Sequence, residues 1–179
     1  MKRLAPLSLT LALLTSIPLS ASSAQEPLPF VKGSQTAIVS AHAGSPFVLA
    51  LWSLDCLYCR HDLAMLGRLK AEHPQLQVVL VATDTSARRA EIAPRLDALA
   101  LGMEESWIFA DAFAERLNHE IDPQWFGELP RTYFYGRDGG RISVSGSLDE
   151  AAIEDWIKET YGEAHEEEQD ASGNSGKNH

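Results

Sequence analysis

Cysteine is almost missing from this chain of 179 residues: two occur, Cys56 and Cys59, and both belong to one C-x-x-C. No second ligand pair is spaced to complete the four positions of a structural zinc site, and no methionine cluster stands ready for a soft metal. Basic residues are also scarce, with Lys and Arg at 15 against 25 Asp and Glu and a formal charge of −10. That balance argues against nucleic acid and anionic membrane surfaces as partners, since both require a basic footprint. Long apolar runs are missing as well, apart from residues 4–19, which are short for a membrane span and carry Pro6 and Pro18. Internal repeats are absent.

That one apolar run follows Lys2 and Arg3 and precedes Ser22-Ser23-Ala24, small residues suited to a cleavage site. Residues 1–24 therefore read as a secretory signal peptide, with an uncleaved anchor as the weaker alternative and the mature chain starting at Gln25. No cysteine follows the cleavage position, which excludes a lipoprotein. The remainder is about one ordinary domain in length, residues 25–162. Residues 163–179, opening with His165-Glu-Glu-Glu-Gln-Asp170, hold almost nothing able to pack and read as a disordered acidic tail. Metal capture by His165 and His179 is the weaker reading of that tail.

Within the domain, strand-like and helix-like patterns alternate, the mark of an α/β fold. Phe47–Trp52 is a continuous apolar run, as expected of a strand buried on both faces. Residues 59–72 place Leu63, Leu66 and Leu69 on one helical face and stop at His73-Pro74. A second buried strand is expected over residues 77–82. Thr85 and Ser86 offer caps for a helix to about Leu99 that Pro94 should kink or divide. A short strand over 106–110 and a short helix over 112–119 follow. Residues 131–135 and 141–145 flank Asp138-Gly139-Gly140 as a hairpin. Ser147-Leu-Asp-Glu150 reads as a capping box for a last helix to about Tyr161, with Ile153, Trp156 and Ile157 inward. The expected order is β-α-β-α-β-α-β-β-α.

A bond between cysteines three residues apart closes too short a loop to remove much unfolded-state entropy, so its use lies in being made and broken. Exchange needs a thiolate, and an unperturbed cysteine with a pKa near ~8.5 supplies only a few per cent of it at neutral pH. Cys56 falls at the first turn of a helix, where unpaired N–H groups and the positive dipole end stabilise the anion. Cys59 lies one turn on, on the same side, and can attack a mixed disulfide at Cys56. Cys56 is thus assigned as nucleophile and Cys59 as resolving thiol.

Over residues 47–161 the chain resembles the thioredoxin superfamily, and within it the secreted TlpA-like thiol–disulfide oxidoreductases of the ResA and CcmG types. The resemblance rests on Trp52 ahead of Cys56, the C-x-x-C, Asp84 closing a strand, Asp111, Leu129-Pro130-Arg131-Thr132 leading into a strand, and Asp138-Gly139-Gly140. It implies a thioredoxin-like fold with a central mixed sheet flanked by helices. It also implies a cis Pro130 against the cysteines, with Leu129 offering backbone groups to a partner chain. The implied activity is periplasmic reduction of disulfides in haem- or copper-binding proteins, as in cytochrome c maturation. Protein thiols are the partners, an upstream donor supplies the electrons, and no bound cofactor is called for. Three positions depart from the pattern: Asp55 stands where a tryptophan usually precedes the first cysteine, Ala50 replaces the buried acid of thioredoxins, and Leu57-Tyr58 is neither Gly-Pro nor Pro-His.

Asp55 beside the helix N-terminus would oppose a Cys56 thiolate unless its carboxylate points away. Tyr58 is either a docking surface or plain exposed surface. His61 points off the cysteine face. Phe47, Trp52, Trp107, Phe109 and Trp156 read as core, while Trp125 and Phe126 either border the active site or pack. Two other functions remain open: a Cu(I)-handling module using Cys56, Cys59 and His61 or a distant histidine, and a dithiol oxidase or isomerase, which Asp55 disfavours.

Overall fold

The computed structural model describes residues 25–173, with side chains described through residue 162. The segment read as a signal peptide, residues 1–24, lies outside the described residues, as do residues 174–179. The elements are β1 (Leu28–Phe30), α1 (Ser34–Ala41), β2 (Phe47–Trp52), α2 (Leu57–Glu72), β3 (Val78–Ala82), α3 (Arg89–Asp97), β4 (Glu105–Phe109), α4 (Ala114–Ile121), β5 (Arg131–Tyr135), β6 (Arg141–Ser145) and α5 (Glu150–Gly173).

One six-stranded sheet results, in the order β1-β4-β3-β2-β5-β6. The first four strands are parallel; β5 runs antiparallel to β2, and β6 antiparallel to β5. Strand periodicity divides the core between the two faces. Val48, Ala50 and Trp52 of β2 point to one side with Leu80 and Ala82 of β3, under Leu63, Leu66 and Leu69 of α2 and Ile153 and Ile157 of α5. Phe47, Leu49 and Leu51 point to the other, with Val79, Val81 and Tyr133, against Ile38 of α1 and Leu117 and Ile121 of α4. Every residue of β2 and β3 is buried. Each such aliphatic side chain contributes about 1.5–3 kcal/mol. β6 is the edge and is largely exposed.

Helix α2 approaches its neighbours closely at Gly67, where a Cβ would run into the Leu99 carbonyl. Only glycine lets that turn of α2 sit against the end of α3. Pro94 lies inside α3 and does not divide it. The proline forfeits one backbone bond, while the fully buried Ile92 and Leu96 hold the helix to the core. The division comes earlier, at a short 3-10 turn over Ser86–Arg88, and Thr85 makes no side-chain cap there.

The N-terminal unit β1-α1 is an addition to the expected order. β1 pairs only with β4, and Phe30, fully buried, is its anchor. At the other chain end α5 starts on an Asp149 cap, whose Oδ1 accepts from the Ala151 and Ala152 amides at 2.9 and 3.4 Å, in place of the Ser147 capping box. Its backbone continues beyond Tyr161 to Gly173, into the segment read as a disordered tail. Glu, Gln and Ala are good helix formers, and no proline interrupts them.

Candidate active site

β2 delivers the chain to a tight loop. Thr83 donates from its backbone N–H to the Trp52 carbonyl at 2.9 Å, and Cys56 donates to the Ser53 carbonyl at 3.2 Å. Cys56 is the N-cap of α2 in extended geometry, and its Sγ accepts from the Cys59 amide at 3.1 Å. The thiol position therefore faces a helix N-terminal N–H, where an anion is stabilised. Cys56 and Cys59 form a disulfide with S–S 2.02 Å and Cα–Cα 5.3 Å. The two sulfurs differ in access. Cys56 is half-buried, whereas Cys59 is 1% exposed.

The peptide bond between Leu129 and Pro130 is cis. Pro130 is buried beside the cysteines: it lines, with Ala50, Trp52, Cys59, Asp62 and Leu66, a cavity of about 10 Å³, near the lower limit for one water. Its loop is held on both sides. Trp125 donates from Nε1 to the Glu128 carbonyl at 2.8 Å, and Ser145 Oγ donates to Glu128 Oε1 at 3.2 Å. Arg131, just past Pro130, donates to Asp122 Oδ2 at 2.8 Å and stacks on Tyr133, whose hydroxyl donates to the same oxygen at 3.2 Å. Burial alone would raise the Asp122 carboxyl, but bonds from the Gln124 amide and from Arg131 hold it below the usual range. Burial pushes the Tyr133 phenol up to about 12, so it stays a donor.

Asp62 is the site residue that sequence reasoning missed. It is 3% exposed, its Oδ2 accepts from the Leu148 amide at 3.3 Å, and its Oδ1 has no partner among the described residues. Burial pushes its carboxyl above the ordinary value, against the pull of the Leu148 bond and of nearby His61. It shares the cavity with both Cys59 and Ala50. Ala50 on the strand and the carboxyl of Asp62 on the helix thus line one cavity. A signal was present in the sequence: Asp62 is one turn beyond Cys59, on the face carrying Leu63 and Leu66, where a charge is out of place.

Asp55 does not stand alone. Its Oδ2 accepts from Arg88 Nη1 at 2.6 Å, and its side chain is otherwise largely exposed. Leu57 and Tyr58 project to solvent at 75% and 67% exposure, while His61 is exposed. Trp125 and Phe126 part company, the first 2% and the second 89% exposed. Phe47, Trp52 and Phe109 are core, and Trp107 and Trp156 are half-buried against it. The one grouping of His, Cys, Asp or Glu at metal-like spacing among the described residues is Glu72, His73 and Glu154, which contains neither cysteine.

No protein-family model matches the chain, and no curated protein matches it. Solved structures do. A secreted disulfide oxidoreductase of Mycobacterium tuberculosis homologous to E. coli DsbE matches at TM-score 0.51 and 20% identity, over 64% of this chain and 81% of that one. DsbF of the same organism matches at 0.51 and 19%, over 64% and 79%. A thiol:disulfide interchange protein of the thioredoxin family from Chlorobium tepidum matches at 0.52 and 14%, over 68% and 83%. With a six-stranded mixed sheet, helices on both faces and the C-x-x-C at the start of α2, this chain has the thioredoxin-like fold of those proteins.

Proposed function

We propose that the protein is a periplasmic thiol–disulfide oxidoreductase that reduces disulfides in haem- or copper-binding partner proteins. The observation that carries the reading is the asymmetric pair: a half-exposed Cys56 at a helix N-terminus, joined to a buried Cys59 that shares a cavity with Pro130 and a buried carboxylate. In the reduced protein the Cys56 thiolate attacks one sulfur of the partner disulfide; a mixed disulfide forms and the other partner sulfur leaves as thiolate. Cys59 then gives its proton to Asp62, and its thiolate attacks Cys56 Sγ. The mixed disulfide breaks, the Cys56–Cys59 bond forms and the second partner sulfur departs. Two electrons have moved to the partner, and a dithiol donor restores the pair.

Asp62 suits the proton step because burial raises its affinity for a proton toward that of the group it serves. In this reading the Leu129 backbone pairs with an extended partner segment, Pro130 backs the thiols, and exposed Tyr58 and Leu57 dock against apolar partner surface. Residues 1–24 direct export, and among the described residues no helix is long and apolar enough to cross a membrane. The test is equilibration of residues 25–179 with a dithiol couple. A potential near −270 mV marks a reductase, and one near −120 mV a strong oxidant; the second value would overturn the proposed direction.

A further inference from the structure

Arg88 lies far from the C-x-x-C in sequence, yet its guanidinium is the hub of the loop that presents Cys56. Nη1 donates to Asp55 Oδ2 at 2.6 Å and to Asp84 Oδ1 at 3.0 Å. Nη2 reaches Asp55 Oδ1 at 3.4 Å and Glu91 Oε2 at 3.0 Å, and Nε bonds Glu91 Oε1 at 3.0 Å. The other oxygen of Asp84 accepts from the Leu54 amide at 3.0 Å. Leu54 and Asp55 are adjacent, so the contacts close a ring through Asp84 and Arg88 that ties the loop before Cys56 to the end of β3. Bidentate forks fix direction as well as charge, which a lysine could not do at three carboxylates.

We propose that Arg88 is a positioning residue for the nucleophilic cysteine: it holds the Asp55 carboxylate away from Cys56 and cancels its charge, and so sets the thiolate stability and reduction potential of the pair. The inference rests on reading Cys56 as the nucleophile. The charged groups on the elements that flank it are Asp55 in the loop, Arg60, His61 and Asp62 on α2, Asp84 after β3, Arg88, Glu91 and Arg95 on the turn and α3, and Glu128 and Arg131 on either side of Pro130. Of these acids, Asp55 alone adjoins the cysteine in the chain, and Asp84 and Glu91 keep their hold on Arg88 when Asp55 is removed.

The test is a double-mutant cycle on the oxidised and reduced mature protein, reading the Cys56 thiolate absorbance titration and the glutathione equilibrium. Arg88→Gln frees the Asp55 carboxylate, disfavours the thiolate and makes the protein a better electron donor. The ionisation constant of Cys56 should fall about three- to tenfold, with tenfold in the redox constant equal to about 30 mV. Asp55→Asn should change it less than about twofold while Arg88 is present and restore most of the loss when Arg88 is Gln. Additive effects would overturn the proposal, because a direct field from Arg88 would act equally in both backgrounds; an unchanged or acidified Cys56 in Arg88→Gln would overturn it too. If Arg88→Gln fails to fold, the cycle is run with Arg88→Lys, where Asp55→Asn must have a larger effect than in the parent, and equality refutes the idea. Failure of the underlying reading looks different: the unmodified protein would not exchange with glutathione through Cys56 at all.

Discussion

Asp62→Asn separates the chemistry of the buried acid from its structural cost. The carboxyl is buried with one oxygen bonded to the Leu148 amide and the other without a partner among the described residues. The amide fits the same space and keeps an acceptor for Leu148. Because burial raises the folded-state value above the ordinary 3.8, the folded protein binds more protons than the unfolded chain between those two values. Stability therefore falls as pH rises through that window and stays reduced above it, by about 1.4 kcal/mol for each pKa unit of the shift. Asp62→Asn removes that penalty, so at pH 7 the variant should be as stable as the parent or more so, and the difference should vanish below pH 4. Activity should move the other way. Without an acceptor for the Cys59 proton, resolution of the mixed disulfide should slow by about 10²-fold, the lower end for positioned general bases. Stopped-flow tryptophan fluorescence against a model disulfide reads the rate, and urea unfolding of the oxidised form at several pH values reads the stability. An unchanged resolution rate would refute the proton role; a variant less stable at pH 7 than at pH 4 relative to the parent would refute the sign of the linkage.

Cys59→Ser should accumulate mixed disulfides with partner proteins while Cys56→Ser accumulates few, read on non-reducing gels; the reverse pattern would invert the assignment of nucleophile. Ala100, at φ 59, ends α3 in a left-handed cap in which the Leu101 amide bonds the Leu96 carbonyl at 2.9 Å and the Ala100 amide bonds that of Asp97 at 3.1 Å. Ala100→Gly should stabilise by about 1 kcal/mol, measured by thermal or urea unfolding, since the cost of a Cβ in that region exceeds the entropy glycine adds. Asp122 is held below 3.8 in the folded protein, so its contribution is present above that value and lost as pH falls through the lower folded one. Asp122→Asn should cost about 1.5–3 kcal/mol at pH 7, because Arg131 keeps its bonds to Tyr133 and Ser145 but loses its counter-charge, and the gap from the parent should narrow in acid.

Where one short stretch of chain carried its own physics, the sequence was enough. Phe47–Trp52 reads as a strand buried on both faces, and Asp138-Gly139-Gly140 between two β-branched and aromatic runs as a hairpin, and β2, β5 and β6 appear where expected. The unit β1-α1 was illegible for a physical reason. Leu28–Phe30 is three residues with a proline at its centre, and α1 follows Gly33 with no side-chain cap. Phe30 and Ile38 are its buried apolar anchors, and the groups that hold the unit lie on β4, α4 and β5, far along the chain. The end of α3 lies within two residues of the expected Leu99 although Ala100 carries no stop signal, and the buried Leu96 and Leu101 supply what glycine usually does there.

The cysteines were legible because spacing and context define them, but their electrostatic setting was not, since charge compensation is made between elements. Reading Ala50 as a lost acid and Asp55 as an unopposed one treats each position by itself. In the folded chain Asp62 lines the same cavity as Ala50, and Arg88 meets Asp55 from the turn before α3. At each position a charged residue on another element comes close, a buried carboxyl near Ala50 and a guanidinium on Asp55. In the proposed exchange the two act on different thiols, Asp62 lining the cavity of Cys59 and Asp55 with Arg88 in the loop and turn next to Cys56. Perturbing the first should therefore alter the rate of resolution with little change in potential, and perturbing the second should alter the potential with little change in how fast Cys59 resolves a trapped intermediate.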